Sequence, residues 1–243
     1  LGSMDRSVET VIRLNAGRIR PGDVFALNAP YNGGTHLPDI TVVTPVFDDA
    51  GREILFWVAS RGHHADVGGT APGSMTPLAT TVEEEGVLID NFLMVEGGVF
   101  REAELARLLA DHPWPARNIA ANIADLKAQV AANARGIAEL RRMVRDFGLD
   151  VVQAYMGHVQ DNAAEAVARV IGTLEDGAFT YPTDNGQEIR VRITVDRAAR
   201  RATVDFSGTS PAGPNNFNAP EPVTRAAVLY CFRVMVEAPI PMN

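Results

Sequence analysis

The chain has 243 residues, 46% of them hydrophobic and 21% charged, with 22 basic against 30 acidic side chains and a formal charge of −8 at neutral pH. That length suffices for a sizeable core, in one large domain or two small ones, and the acidic balance without any basic cluster argues against binding nucleic acid through its phosphates. The single cysteine, Cys231, excludes an internal disulfide and a cysteine-rich zinc module and favours a reducing, cytoplasmic setting, while the apolar runs are too short to span a bilayer.

In chain order, Arg6 to Ala16 place Val8, Val11, Ile12 and Leu14 on one helical face, and Gly17 ends the helix. From about Asp23 to Ser60 the pattern is strand-like: "DVFALN", "DITVVTPVF" and "REILFWVAS" are rich in β-branched and aromatic residues, and "DDAG" at Asp48–Gly51 joins the last two as a hairpin. The glycine- and proline-rich "RGHHADVGGTAPGSM" follows as a loop with too few apolar residues for core. Helices are predicted over 101–112, 118–147 and 150–174. In the middle one Ile119, Ile123, Leu126, Val130, Ile137, Leu140, Met143 and Val144 recur at three- and four-residue steps, opposite Lys127, Arg135, Glu139, Arg141 and Arg142. Gly148 then lets it fold back on the next helix as an antiparallel hairpin.

After Gly177 the period returns to two. Ile189, Val191, Ile193 and Val195 alternate with Arg190, Arg192 and Thr194, turn at "RAAR", and resume with Ala202, Val204 and Phe206, which predicts a hairpin with one face buried. "GTSPAGPNNFNAP" reads as a loop and "PVTRAAVLYCFRVMVEA" as a final apolar helix before a Pro-rich turn. The fold class is α+β, with mixed sheet segments at both ends and a helical hairpin as the middle layer. Three stretches organise it: a strand-rich segment over 1–100 that carries the site loops, a helical segment over 101–176, and a β-hairpin with a terminal helix over 177–243, all parts of one larger fold. Both ends read as cut.

Chemistry concentrates in two glycine-flanked loops. Three of the five histidines, His36, His63 and His64, lie in "GGTHLPD" and "RGHHADVGG", and the predicted hairpin between these loops returns its ends to one sheet edge. Two imidazoles and one or two carboxylates meeting there suit a divalent transition metal, zinc, manganese or iron: neutral imidazole donates a lone pair and a carboxylate lowers the net charge. The same residues also suit plain strand-end turns, because histidine and aspartate in glycine-rich turns commonly bond their own backbone. Spacing leaves both readings open.

Seven segments in order, "NAPYNGGTHLPDITVVTPVF", "ASRGHHADVGGTAPGSM", "EEEGVLI", "DLKAQVAANARGI", "DNGQEIRV", "DFSGTSP" and "NAPEPVTRAAVLYCFR", resemble the hydantoinase B/oxoprolinase family. That family includes the B subunit of ATP-dependent N-methylhydantoinase, the C-terminal half of 5-oxoprolinase, caprolactamase and the alpha subunits of acetone-type carboxylases. Its members are longer and carry "HLGSM" near their start, so the resemblance implies that Leu1 to Met4 are native and the chain is a truncated fragment. It implies that His36, Asp39 and His63 hold a metal, with a further ligand from the missing N-terminal segment. His64 is the weaker ligand, since adjacent side chains diverge, and Asp66 is placed to orient His63.

The reaction implied is ATP-dependent opening of a small cyclic amide such as a hydantoin, 5-oxoproline or a lactam. The chain has no GxxxxGK[ST] loop and no GxGxxG after a strand, so ATP falls to a hydantoinase A-type ATPase subunit that phosphorylates the amide oxygen, in a hetero-oligomer. A metal-activated water then attacks the carbon, with Glu85 of "EEEGV" as candidate base and Glu83 and Glu84 as a solvated face. Two other expectations stand beside this one. An acetone- or acetophenone-type carboxylase subunit would consume bicarbonate, and a non-catalytic scaffold subunit would hold no metal.

The remaining reactive residues read as structural. His112 sits at a helix end, as a partner for its dipole, and His158 in mid-helix, half-buried. Cys231, between Tyr230 and Phe232, reads as core with no basic neighbour to activate it. Ser207 and Ser210 match no nucleophile elbow, and Asn215, Asn216 and Asn218 either line a pocket or cap turns.

Overall fold

The β-branched and aromatic stretches become strands in the computed structural model of the protein, which describes residues 2–74, 76–237 and 240. Two compact units result: Leu1–Asp146 with Pro214–Ala226, and Phe147–Gly213 with Ala227–Asn243. The division falls inside the stretch expected as the helical middle, between its two long helices, rather than at either end. Most of the Pro-rich turn expected at the C-terminus, residues 238, 239 and 241–243, lies outside the described residues.

The first unit opens with helix α1 (Met4–Asn15) and continues with strands β1 (Val24–Leu27), β2 (Asp39–Phe47) and β3 (Ile54–His63), a single helical turn α2 (Val82–Glu85), strands β4 (Phe92–Glu96) and β5 (Val99–Phe100), and helices α3 (Glu102–Ala110) and α4 (Ile119–Phe147). The strands form an antiparallel sheet in the order β3-β2-β1-β4-β5. The hairpin expected at "DDAG" is present. Asp48 accepts the backbone N–H groups of Arg52 (2.6 Å) and Glu53 (3.2 Å) on its carboxylate, while Gly51 takes the positive φ of 68° that the turn requires.

Both faces of this sheet are covered, and side-chain alternation splits the core in two. Phe25, Leu27 and Val43 point to one side and pack with Val11 of α1. Val24, Ala26, Ile40 and Val42 point to the other, where Leu105 and Leu109 of α3 and Ile123 and Leu126 of α4 meet them. Each fully buried aliphatic side chain contributes about 1.5–3 kcal/mol of transfer free energy. Helix α1 is rotated from its expected face: Ser7, Thr10, Val11 and Asn15 are buried, and Ile12 is 41% exposed. The reason is a polar anchor, because Arg61 of β3 donates to Ser3 Oγ (2.6 Å) and Ser7 Oγ (2.9 Å).

Two expectations fail in this unit. The loop after β3 was expected to lie outside the core, yet Val67 is fully buried and His64 and Ser74 nearly so. Helix α4 buries only its first half, through Asn122, Ile123, Leu126, Gln129 and Asn133, so three amides share the buried face with the expected aliphatics Ile123 and Leu126, and the later stripe residues are not buried. Gln129 and Asn133 satisfy backbone carbonyls of the sheet and Asn122 that of Asp66 in the loop after β3, which a hydrocarbon cannot do.

The second unit contains helix α5 (Leu149–Ile171), joined to α4 through Gly148 alone, and a three-stranded antiparallel sheet of β6 (Gly177–Pro182), β7 (Glu188–Asp196) and β8 (Arg201–Asp205). Helix α6 (Glu221–Val234) starts in the first unit and ends in the second. The predicted β7–β8 hairpin is present, with Arg200 at positive φ in its turn; β6 was not anticipated. The expected alternation is present but the face is only half-buried: Val191, Ile193, Val195, Ala202 and Val204 are partly covered opposite exposed Arg190, Arg192 and Thr194, while Ile189 and, on β6, Phe179 and Tyr181 are 46%, 65% and 58% exposed.

Candidate metal centre

The β2–β3 ladder runs from the Asp48 turn to an open end where Asp39 and His63 are direct cross-strand partners. His36 enters from the turn before β2. There the Asp39 N–H donates to His36 O (2.8 Å), and Pro38 O accepts from both Ile40 N (3.0 Å) and His64 N (2.8 Å), tying the turn to the strand that carries His63. Asn28 of "LNAPYNGG" fixes the same turn from below. Fully buried, it donates to Leu37 O (2.9 Å) and Val87 O (3.0 Å) and accepts from Ile89 N (2.6 Å). The close approach of Asn28 O to Gly34 leaves no room for a Cβ there, which accounts for the second glycine of the pair.

The structure therefore brings His36, Asp39 and His63 together. Asp39 Oδ1 lies 2.8 Å from His63 Nδ1 and Oδ2 lies 3.9 Å from His36 Nδ1. The two imidazoles stack with centroids 5.4 Å apart at 28°, and one ligand atom from each residue falls within 4.8 Å of the others. A tetrahedral ion about 2.1 Å from each donor needs them about 3.4 Å apart, so small side-chain rotations bring this set to coordination distance. Burial holds His36 below the usual histidine pKa, against the opposing pull of Asp39 and with some help from His63; that keeps its ring neutral and its lone pair available. The donors thus fit a divalent metal in chemistry and approximate spacing.

His36 also borders a cavity of about 450 Å³, lined further by Tyr31, Thr35, Glu85 and the loop Asn215–Asn218. Burial raises the Glu85 carboxyl above its ordinary pKa, and among the described residues its carboxylate has no hydrogen-bond or ion-pair partner. Asn216 Nδ2 donates to Thr76 O, which ties the asparagine loop to the segment before α2. Glu84, expected as solvated face, is instead the acceptor that closes the first turn of α2, taking Thr80 N (2.6 Å) and Thr80 Oγ1 (3.1 Å).

Other expected residues are placed elsewhere. Asp66 is not the partner of His63; Asp39 holds that position. The Asp66 carboxylate accepts from Gly68 N (2.9 Å), Gly73 N (2.9 Å), Arg117 N (3.1 Å) and Arg117 Nη1 (2.7 Å). Burial works to raise its pKa, and these bonds outweigh it and hold the pKa down. His64 turns inward, 1% exposed, between Gln129 Oε1 (3.2 Å from Nε2) and Asn122 Nδ2 (3.3 Å from Nδ1). His112 engages the backbone of Trp114 rather than a helix end. His158 is exposed beside Tyr155, and Cys231 is exposed rather than core. Sequence reading missed Asn28 and the α4 amides. The available signal was the phase of Asn122, Gln129 and Asn133, which share a helical face with Leu126.

Comparison with known proteins agrees with this geometry in fold. A family model described as hydantoinase B/oxoprolinase matches residues 1–243. Across its whole length the chain is 42% identical to 5-oxoprolinase 1 of Arabidopsis thaliana, of which it spans 21%. It superposes over its full length on the ATP-dependent caprolactamase of Pseudomonas jessenii with a TM-score of 0.84 at 24% identity, covering 42% of that chain. An acetone carboxylase structure follows at a TM-score of 0.77 and 19% identity, with 98% of this chain and 33% of that one aligned. No helix among the described residues is long and apolar enough to cross a membrane.

Proposed function

Because the chain belongs to the hydantoinase B/oxoprolinase family, we propose that it is the metal-dependent hydrolytic part of an ATP-dependent enzyme that opens small cyclic amides, in the cytoplasm. The observation that carries the reading is the convergence of His36, Asp39 and His63, with His36 bordering a cavity that Glu85 also lines. A divalent transition metal on the triad would supply Lewis acidity and a water of lowered pKa. The chain's own residues do the rest. His36 and His63 present imidazole nitrogens, Asp39 presents one oxygen toward each ring, and Glu85, raised by burial, accepts the proton of the attacking water more readily than an exposed carboxylate does.

ATP enters through a hydantoinase A-type ATPase subunit, which transfers a phosphoryl group to the amide oxygen of a hydantoin, 5-oxoproline or lactam. Water adds to the activated carbon, the ring C–N bond breaks, and the nitrogen leaves with a proton. The resulting acyl phosphate is hydrolysed to carboxylate and phosphate. Relatives named 5-oxoprolinase and caprolactamase support this class of substrate.

The test is elemental analysis of the intact protein and of a His36→Ala, Asp39→Ala double variant after passage through metal-free buffer, with a ring-opening assay on a cyclic-amide panel in the presence of ATP and the ATPase subunit. About one equivalent of transition metal in the parent, lost together with turnover in the variant, is expected. A well-folded parent without metal, or turnover that consumes bicarbonate, would overturn the reading.

A further inference from the structure

The open end of a hairpin is where strands fray, yet the Asp39–His63 pair sits there, at the far end of the ladder from its turn. Successive strand residues point to opposite faces, so a slip of one residue would replace His63 opposite Asp39 by Gly62 or His64 and turn the strand's side chains over. Some element must hold the register at this end. Pro45 in β2 has no N–H to give the ladder, and the Asp48 turn acts at the other extreme.

The α4 amides act at the open end. Gln129 Nε2 donates to Ile40 O (3.0 Å) on β2 and Ser60 O (3.3 Å) on β3, while its Oε1 meets the buried His64 ring at 3.2 Å. One side chain therefore grips both strands and the residue after His63. Asn122 completes the grip with Nδ2 on Asp66 O (2.9 Å) and on the other side of the His64 ring. Gly62, opposite Ile40 in the ladder, leaves the necessary space, because a Cβ there would lie 3.3 Å from Gln129 Cδ. Asn133, one turn further along the same helix face, makes bonds of the same kind to Val42 O (3.1 Å) and Thr44 Oγ1 (3.0 Å) on β2 and reaches Val58 O on β3 at 3.5 Å, away from the open end and from the His64 ring. A buried amide costs desolvation that leucine would not, so its placement at this rung calls for a reason beyond packing.

We infer that Gln129 is a positioning residue for the metal centre: it locks the register of the β2–β3 open end through Ile40, Ser60 and His64 and so presents His63 to Asp39 and His36. The inference rests on the proposed metal site for its functional meaning, but the register lock can be measured without metal.

The experiment compares Gln129→Leu with Asn133→Leu in the intact protein. Titration with divalent cobalt alone, read by its visible absorption, and hydrogen exchange of peptides covering 36–41 and 60–66 are the two measurements. Gln129→Leu is expected to weaken cobalt binding 10–100-fold, the usual effect of disturbing a group that orients a ligand, and to speed exchange at the open end more than tenfold. Asn133→Leu should leave both near the parent while lowering thermal stability by a similar amount. Parent-like binding and exchange in Gln129→Leu, or equal effects of the two variants, would overturn the inference. If the parent binds no cobalt, the metal reading fails, and the exchange comparison alone decides the register lock. Should Gln129→Leu not fold, Gln129→Met takes its place.

Discussion

Replacing Asp66 by alanine separates a structural clasp from a role in orienting His63. The carboxylate gathers three backbone N–H groups and one guanidinium, closing a loop that bonds α2 and the residues after it through Thr70 N to Glu84 O (2.8 Å) and Val87 N to Val67 O (2.8 Å). Gly68 is buried, so its N–H loses its acceptor without gaining water, at about 1–3 kcal/mol. The amides of Gly73 and Arg117 lie nearer solvent and rehydrate, adding about 1 kcal/mol together at most. The Arg117 pair, with the arginine 39% exposed, adds about 0–1 kcal/mol. The variant is therefore expected to lose about 1–5 kcal/mol in urea unfolding at pH 7.

The pH dependence has a definite sign. Asp66 is held below the unfolded aspartate value of about 3.9, so its contribution is complete above that value and fades as pH falls through the folded pKa. The stability gap between parent and variant should stay level from pH 8 to 5 and narrow below about pH 4. Cobalt affinity of the folded variant should stay within a few-fold of the parent. A loss under about 0.5 kcal/mol, a gap indifferent to acid, or a stable variant that cannot bind metal would refute the clasp and return Asp66 to the histidine.

Glu85→Gln is expected to lower ring-opening turnover by about 10²–10⁴-fold while raising the melting temperature at neutral pH. The carboxyl is raised by burial, so its ionised form destabilises the fold above that pKa and the neutral amide relieves it; a melting temperature that falls would count against the burial argument. On α4, Leu126→Ala should cost about 2–5 kcal/mol and Ile137→Ala clearly less, because Leu126 is fully buried and Ile137 is partly open. Equal losses in denaturant unfolding would mean that the apolar stripe of the helix is covered along its whole length.

The sequence by itself determined the strands around the site. β-Branched runs at 39–47 and 54–63 and a turn of aspartates and glycine specify a local hairpin, and a hairpin necessarily returns "GGTHLPD" to "RGHHAD". That return brings three histidines and two aspartates to one edge, the family resemblance singled out His36, Asp39 and His63 among them, and the three helices followed from their apolar period. Other features are nonlocal. Which carboxylate meets His63 depends on cross-strand register, and Asp39 wins because it is the direct partner while Asp66 lies beyond the turn, caught by Arg117. The inward rotation of His64, the amides on the buried face of α4 and the three hydrogen bonds of Asn28 each pair groups 9 to 91 residues apart in the chain. Periodicity counts apolar residues and is blind to a buried amide whose partner is a backbone carbonyl, because that carbonyl is present at every position and only the packed sheet decides which one is left to accept.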